Sequence, residues 1–102
     1  MDDLLATFVP KFVATARTRI AKSLDLAAKR TPDGVPQIAR ELHAIAGEAG
    51  LLGLGAIVAL ARAGEEHARR LRTTKSDADA DALLASLTEL QGAIESVAPP
   101  PA

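Results

Sequence analysis

The 102-residue sequence has no cysteine, tryptophan or tyrosine, only two phenylalanines and a single methionine. Without cysteine there is neither a disulfide framework nor a thiolate nucleophile. A formal net charge of −1 and the lack of an aromatic platform argue against nucleic acid as a partner. No run of about 18 apolar residues occurs, so membrane insertion is not expected. The acidic start Met1-Asp2-Asp3 does not read as a signal peptide, and the expected location is cytoplasmic. What the chain does have is alanine, 22 residues of it. Alanine is the best helix former and strand formers are sparse, so the class is all-α. The 48% hydrophobic content therefore overstates the large apolar surface available for burial. The length fits one domain.

Turn signals cut the chain into helical blocks. The first spans about Asp3 to Lys29, with Leu5, Phe8, Phe12, Ala16, Ile20, Leu24 and Ala27 at three- and four-residue spacing. Pro10 disfavours helical geometry at Val9 and donates no hydrogen bond. The expectation is a short lead helix to about Phe8, followed by a longer helix with Pro10 in its first turn; one kinked helix is the alternative. Thr31-Pro32-Asp33-Gly34-Val35-Pro36 is a break. A second helix, Pro36 to Gly50, carries Ile38, Leu42, Ile45 and Ala49 inward. Gly50-Leu51-Leu52-Gly53 is a glycine-flanked joint, and a third helix follows from Leu54 to Arg72. Ser76 and Asp79 form a capping-box pattern ahead of the last helix, where Leu83, Leu87, Leu90, Ile94 and Val97 keep 4,3,4,3 spacing. Pro99-Pro100-Pro101 ends it. Long helices with short loops imply an antiparallel up-and-down four-helix bundle over residues 1–98, with a proline-rich tail or linker start at 99–102.

His43 breaks the apolar pattern. At about 100° per residue it lies about 130° from the centre of the Ile38/Leu42/Ile45/Ala49 stripe, and so points outward. Its neighbours on that surface are Ala39, Ala46, Gly47 and Gly50, with Arg40 at the edge. An imidazole in a patch of small residues can be approached closely by another protein. Gly47 stands in mid-helix, where glycine costs about 0.8–1 kcal/mol relative to alanine.

The string His43-Ala44-Ile45-Ala46-Gly47, with Gly53 ten residues after the histidine, resembles the signature of histidine-containing phosphotransfer (HPt) domains. That signature has an active histidine, an apolar residue two on, usually a lysine three on, a glycine four on and a second glycine ten on. Leu51-Leu52-Gly53, Ile57 and Glu65 continue the likeness, and Phe8-Val9-Pro10-Lys11-Phe12 looks like the opening of the family's first long helix. The likeness spans roughly residues 4 to 97. It implies that His43 accepts and donates a phosphoryl group through Nε2, in exchange with an aspartate of a response-regulator receiver domain that carries the Mg²⁺. The partners it implies are that receiver, a sensor histidine kinase, or both; no cofactor is expected on this chain, which is expected to be monomeric. Ala39, Ala46, Gly47, Gly50, Leu51, Phe8 and Phe12 would form the docking surface. The family's usual lysine is replaced by Ala46, which leaves Arg40, Arg62 and Arg69 as candidate cations for the phosphoryl oxygens, although Arg62, Glu65 and Arg69 also have the spacing of intrahelical pairs.

Other chemistry is poorly served. There is no Gly-x-x-x-x-Gly-Lys-Ser/Thr loop, so independent ATP-dependent kinase activity is not expected. No metal-ligand spacing occurs, and His67 in Glu65-Glu66-His67-Ala68-Arg69-Arg70 reads as part of a charged helix face. The alternative from another class is a non-catalytic helical interaction module, or a degenerate HPt domain that binds a receiver without phosphotransfer.

Overall fold

The computed structural model describes residues 2–98, with side chains from residue 6 onward. Helix α1 spans Asp2–Lys29, α2 Gly34–Leu51, α3 Gly55–Thr74 and α4 Asp77–Val97, and there is no strand among the described residues. The proline tail at 99–102 lies outside the described residues, as does the side chain of Leu5.

Each helix packs on two others: α1 on α2 and α4, α3 on α2 and α4. The ring closes around Ile20, Ile38, Leu42, Ile45, Ile57, Leu83, Leu87, Leu90 and Ile94, all essentially inaccessible to solvent. Burying each such side chain contributes about 1.5–3 kcal/mol, which outweighs local propensity in a chain with so few large apolar groups. The 4,3,4,3 pattern of the last helix holds, with Val97 half-buried at its end. Val13 and Ser23 join the core from α1, whereas Phe8 is 45% exposed.

The expected separate lead helix is not present. Helix α1 runs through Pro10 without a break. Pro10 is exposed, and the turns after it bury Phe12, Val13, Ala16 and Ile20 against the other helices. A proline inside a helix costs about 3 kcal/mol through its missing donor and ring clash, and this packing offsets it. Helix α2 also begins two residues earlier than its sequence signals indicate, at Gly34. That places Pro36 in the first turn, where a backbone N–H has no intrahelical partner to lose.

Ion pairs pin the outer faces. Arg19 reaches Glu41 at 3.1 Å and Glu48 at 3.2 Å across α1 and α2. Arg17 meets Glu95 at 2.6 Å, and Arg30 meets Asp77 at 2.8 Å, across α1 and α4. At the start of α4 the capping box forms: Ser76 is the N-cap, and its Oγ accepts the Asp79 N–H at 3.1 Å.

The joint between α2 and α3 positions the site. Gly53 adopts φ +73°, a left-handed conformation that costs glycine nothing. Its N–H donates to the Gly50 carbonyl at 3.2 Å and the Leu54 N–H donates to the Ala49 carbonyl at 2.9 Å. These are the two bonds of a Schellman motif, which ends α2 three residues before α3 begins. Further along, an added Cβ on Gly64 would stand 2.9 Å from Leu42 Cδ1. The bare backbone at 64 leaves room for the end of the Leu42 side chain where α3 meets α2.

Candidate functional site

Leu42 and Gly64 make that close contact, and the residue after each carries the polar chemistry. His43 projects from the middle of α2 with its side chain 81% exposed. Its Nδ1 lies 3.3 Å from Oε2 of Glu65, which is only 19% exposed and comes from α3. A carboxylate can only accept, so Nδ1 carries the hydrogen in this pair. In the neutral ring that leaves the lone pair on Nε2, the nitrogen turned away from the carboxylate. The arrangement is a nucleophilic nitrogen in solvent with its ring oriented from behind by a partly desolvated acid.

Glu65 is therefore not engaged with Arg62 or Arg69, the intrahelical pairing its spacing allows. Arg69 binds Glu66 at 2.5 Å instead. Arg40 and Arg62 are exposed and make no ion pair among the described residues. Along α3, Arg62 lies between Val58, toward which Gly50 packs, and Glu65, which pairs with His43. Glu65 lies among Ala61, Gly64 and Ala68, all buried, where a carboxylate needs a partner; its place between the inward-facing positions 61 and 68 was the signal open to periodicity.

The clearing around His43 is narrower than expected. Gly47 is exposed, and a Cβ there would meet nothing within 4 Å. Gly50 is exposed and Ala39 half-buried. Ala46, however, is 4% exposed and belongs to the core. It lies about 70° from the centre of the apolar stripe, on the flank turned toward α3, and the neighbouring helix covers it. Its small side chain serves helix packing and does not line an open surface.

Beyond the last turn of α2 is a shallow groove of about 410 Å³ lined by Phe8, Lys11, Phe12, Glu48, Leu51 and Leu52, among others. Leu51 is 90% exposed and Phe8 45%, which makes them apolar contacts open to a partner. Phe12 is 4% exposed: it belongs to the core and offers the groove only a wall. Lys11 lies over the Phe8 ring with Nζ 5.7 Å from its centroid, a cation–π contact absent from the expected surface.

His67 departs from its expected place on a solvated face. It is half-buried, and its Nδ1 is shut away without a hydrogen-bond partner. No group of three or more metal-ligating side chains converges among the described residues. None of the described helices is long and apolar enough to cross a membrane.

The family model described as Hpt domain matches residues 7–97 of the chain. No curated protein and no solved structure gave a match.

Proposed function

The chain belongs to the Hpt domain family, the histidine phosphotransfer modules of two-component signalling, and from that premise we propose that His43 is the phosphoryl acceptor and donor. The observation that carries this reading is the Nδ1 contact with Glu65 at 3.3 Å on an otherwise exposed ring. The proposed partner is a receiver domain phosphorylated on an aspartate, with Mg²⁺ bound by the receiver. The Nε2 lone pair attacks phosphorus, the N–P bond forms as the P–O bond to the aspartyl group breaks, and the aspartate leaves as a carboxylate with the bonding electrons. Reversal returns the phosphoryl group. The ring becomes cationic as the N–P bond forms, and Glu65 stabilises that charge through the Nδ1 hydrogen bond. Positioning and charge neutralisation are what this reaction needs from the protein.

Gly47 would admit the receiver's active-site edge, and Leu51 and Phe8 would supply apolar contact; a transient complex of modest area suffices. Arg62 is the cation best placed to serve the phosphoryl oxygens where the family's lysine is missing, because it is unpaired among the described residues and stands one turn before Glu65, the partner of His43, on α3. Arg40 is a second candidate, and Arg69 is occupied by Glu66. Pairings such as Leu42 with Gly64, Gly50 with Val58, and Arg30 with Asp77 support an antiparallel up-and-down arrangement. The closed ring of helices supports a monomer, and a receiver or sensor-kinase partner that draws its phosphate from ATP would be met in the cytoplasm. The alanine at 46 favours one second reading, a domain that binds receivers without relaying phosphate.

The test is incubation with a phosphorylated receiver and Mg²⁺, followed by assay for acid-labile, alkali-stable phosphate on the chain. Label is expected on the native protein and absent from His43→Gln, with the helical circular dichroism signal retained. Equal labelling of His43→Gln would overturn the assignment. Binding to several phosphorylated receivers without any labelling would establish the second reading.

A further inference from the structure

At the end of the bundle where α1 passes into α2 and α3 into α4, a cavity of about 460 Å³ opens to solvent. It shares no residue with the His43 surface or with the Phe8–Leu51 groove. Its volume falls within the range of small-ligand sites, about 300–1,000 Å³. The walls are aliphatic: Leu26, Val35, Ile38, Leu71 and Leu83, with no aromatic side chain among them. The rest of the lining is Ala27, Thr31, Pro32 and Ala80 with three cations, Arg30, Arg72 and Lys75, and no acidic residue.

Arg30 is held by Asp77 at 2.8 Å, while Arg72 and Lys75 have no ion pair among the described residues. Cations complement the C-terminal dipoles of α1 and α3, which accounts for their sign. Their backbone closes the two helices as left-handed caps, the Arg30 N–H donating to the Leu26 carbonyl at 3.1 Å and the Lys75 N–H to the Leu71 carbonyl at 2.8 Å, a place that glycine usually takes. Arg30 at φ 53° and Lys75 at φ 55° are the two non-glycine residues of positive φ among those described, and both line this one cavity. At the opposite end of the bundle the chain makes its left-handed turn with Gly53. Placing a long cationic side chain at each left-handed position here costs backbone energy that glycine would not.

We propose that this cavity binds a small aliphatic carboxylate, its hydrocarbon chain against Leu26, Ile38, Leu71 and Leu83 and its carboxylate at Arg72 and Lys75. The charge of the rim selects an anion. The aliphatic walls select a saturated chain: a nucleotide base would bury its polar edges there without partners. The site is independent of phosphotransfer at His43 and does not rest on it.

The experiment is an amide ¹H–¹⁵N titration of the whole chain with octanoate, octanol and octyltrimethylammonium, repeated on the Arg72→Gln/Lys75→Gln variant. Both substituted side chains are exposed, and far-ultraviolet circular dichroism checks that the fold is kept. Octanoate is expected to give saturable shifts centred on residues 26–38 and 71–83. Octanol should bind at least about tenfold more weakly, the double variant should weaken octanoate by a similar factor while leaving octanol unchanged, and the cation should not bind. Equal binding of octanol and octanoate, shifts centred on residues 8–15 and 48–52, or no saturable shift up to the solubility limit would each overturn the proposal.

Discussion

His43 on α2 holds one ring nitrogen against a carboxylate and the other in solvent, whereas His67 on α3 is half-buried with its Nδ1 unpartnered. Both are imidazoles in the middle of long helices of one bundle. What separates them is the company each keeps. Beside His43 stand Gly47 and Gly50, exposed and without side chains, and a carboxylate reaches across from α3. His67 is flanked along its own helix by Glu66, Ala68 and Arg69, and nothing accepts or donates at the nitrogen it buries. An imidazole becomes a usable nucleophile when one nitrogen is held and the other is free, and only one of the two meets that condition here.

The contrast can be broken most directly by exchanging which histidine is lost. His43→Gln is expected to abolish phosphoryl transfer from a phosphorylated receiver, and His67→Gln to leave its rate unchanged, as read by radiolabel transfer. Next comes the acid behind the ring. Glu65→Ala should slow transfer by roughly a factor of ten or more, because the ring loses its orientation and its charge partner. Glu65→Gln, which still accepts from Nδ1–H, should recover part of that loss; if Ala and Gln behaved alike, the hydrogen bond would have no positioning role.

Gly47 sharpens the comparison because stability and activity should move in opposite directions. Its Cβ position is open and its backbone needs no left-handed conformation, so Gly47→Gln should stabilise the protein by about 0.5–1 kcal/mol in urea unfolding. The same substitution should slow transfer several-fold by crowding the approach to His43. At the other histidine, His67→Leu should raise stability by about 1 kcal/mol by removing a buried nitrogen that has no partner, with transfer untouched.

The smallest effect is a pH dependence set by two carboxyls outside the His43 site. The Thr74 hydroxyl, and then Ser76, hold the Asp79 carboxylate below the usual range by donating to it, and Arg17 does the same for Glu95. A carboxyl whose pKa is lower folded than unfolded stabilises the fold above the unfolded value and loses that contribution as pH falls through the folded one. Asp79→Asn and Glu95→Gln should therefore lie below the native protein in stability at neutral pH and converge with it in acid, in thermal melts across that range.

Much of this was legible in the sequence. The apolar stripes of α2 and α4, the capping box at Ser76 and the glycine joint at 50–53 are local signals, and local physics produced them. The outward direction of His43 followed from helical periodicity alone. Continuity through Pro10 did not, because it depends on how much apolar surface α1 buries against other helices, a quantity its own sequence does not contain. Ala46 was misplaced for a related reason. Position on a single helix wheel gives an angle from the stripe, but whether a residue at the flank is covered depends on the neighbouring helix. Glu65 was visible as part of the family likeness, yet its partner emerged only when the Gly53 turn and the Leu42–Gly64 contact set the register of α3 on α2.

The central claim is that Nε2 of His43 carries the phosphoryl group while Nδ1 keeps its hydrogen toward Glu65. With ¹⁵N-labelled imidazoles, ³¹P–¹⁵N correlation on protein charged by a phosphorylated receiver reads the bonded nitrogen directly. The expected result is a single N–P bond at Nε2 of His43, absent in His43→Gln. A bond at Nδ1, or a bond on either nitrogen of His67, would contradict it.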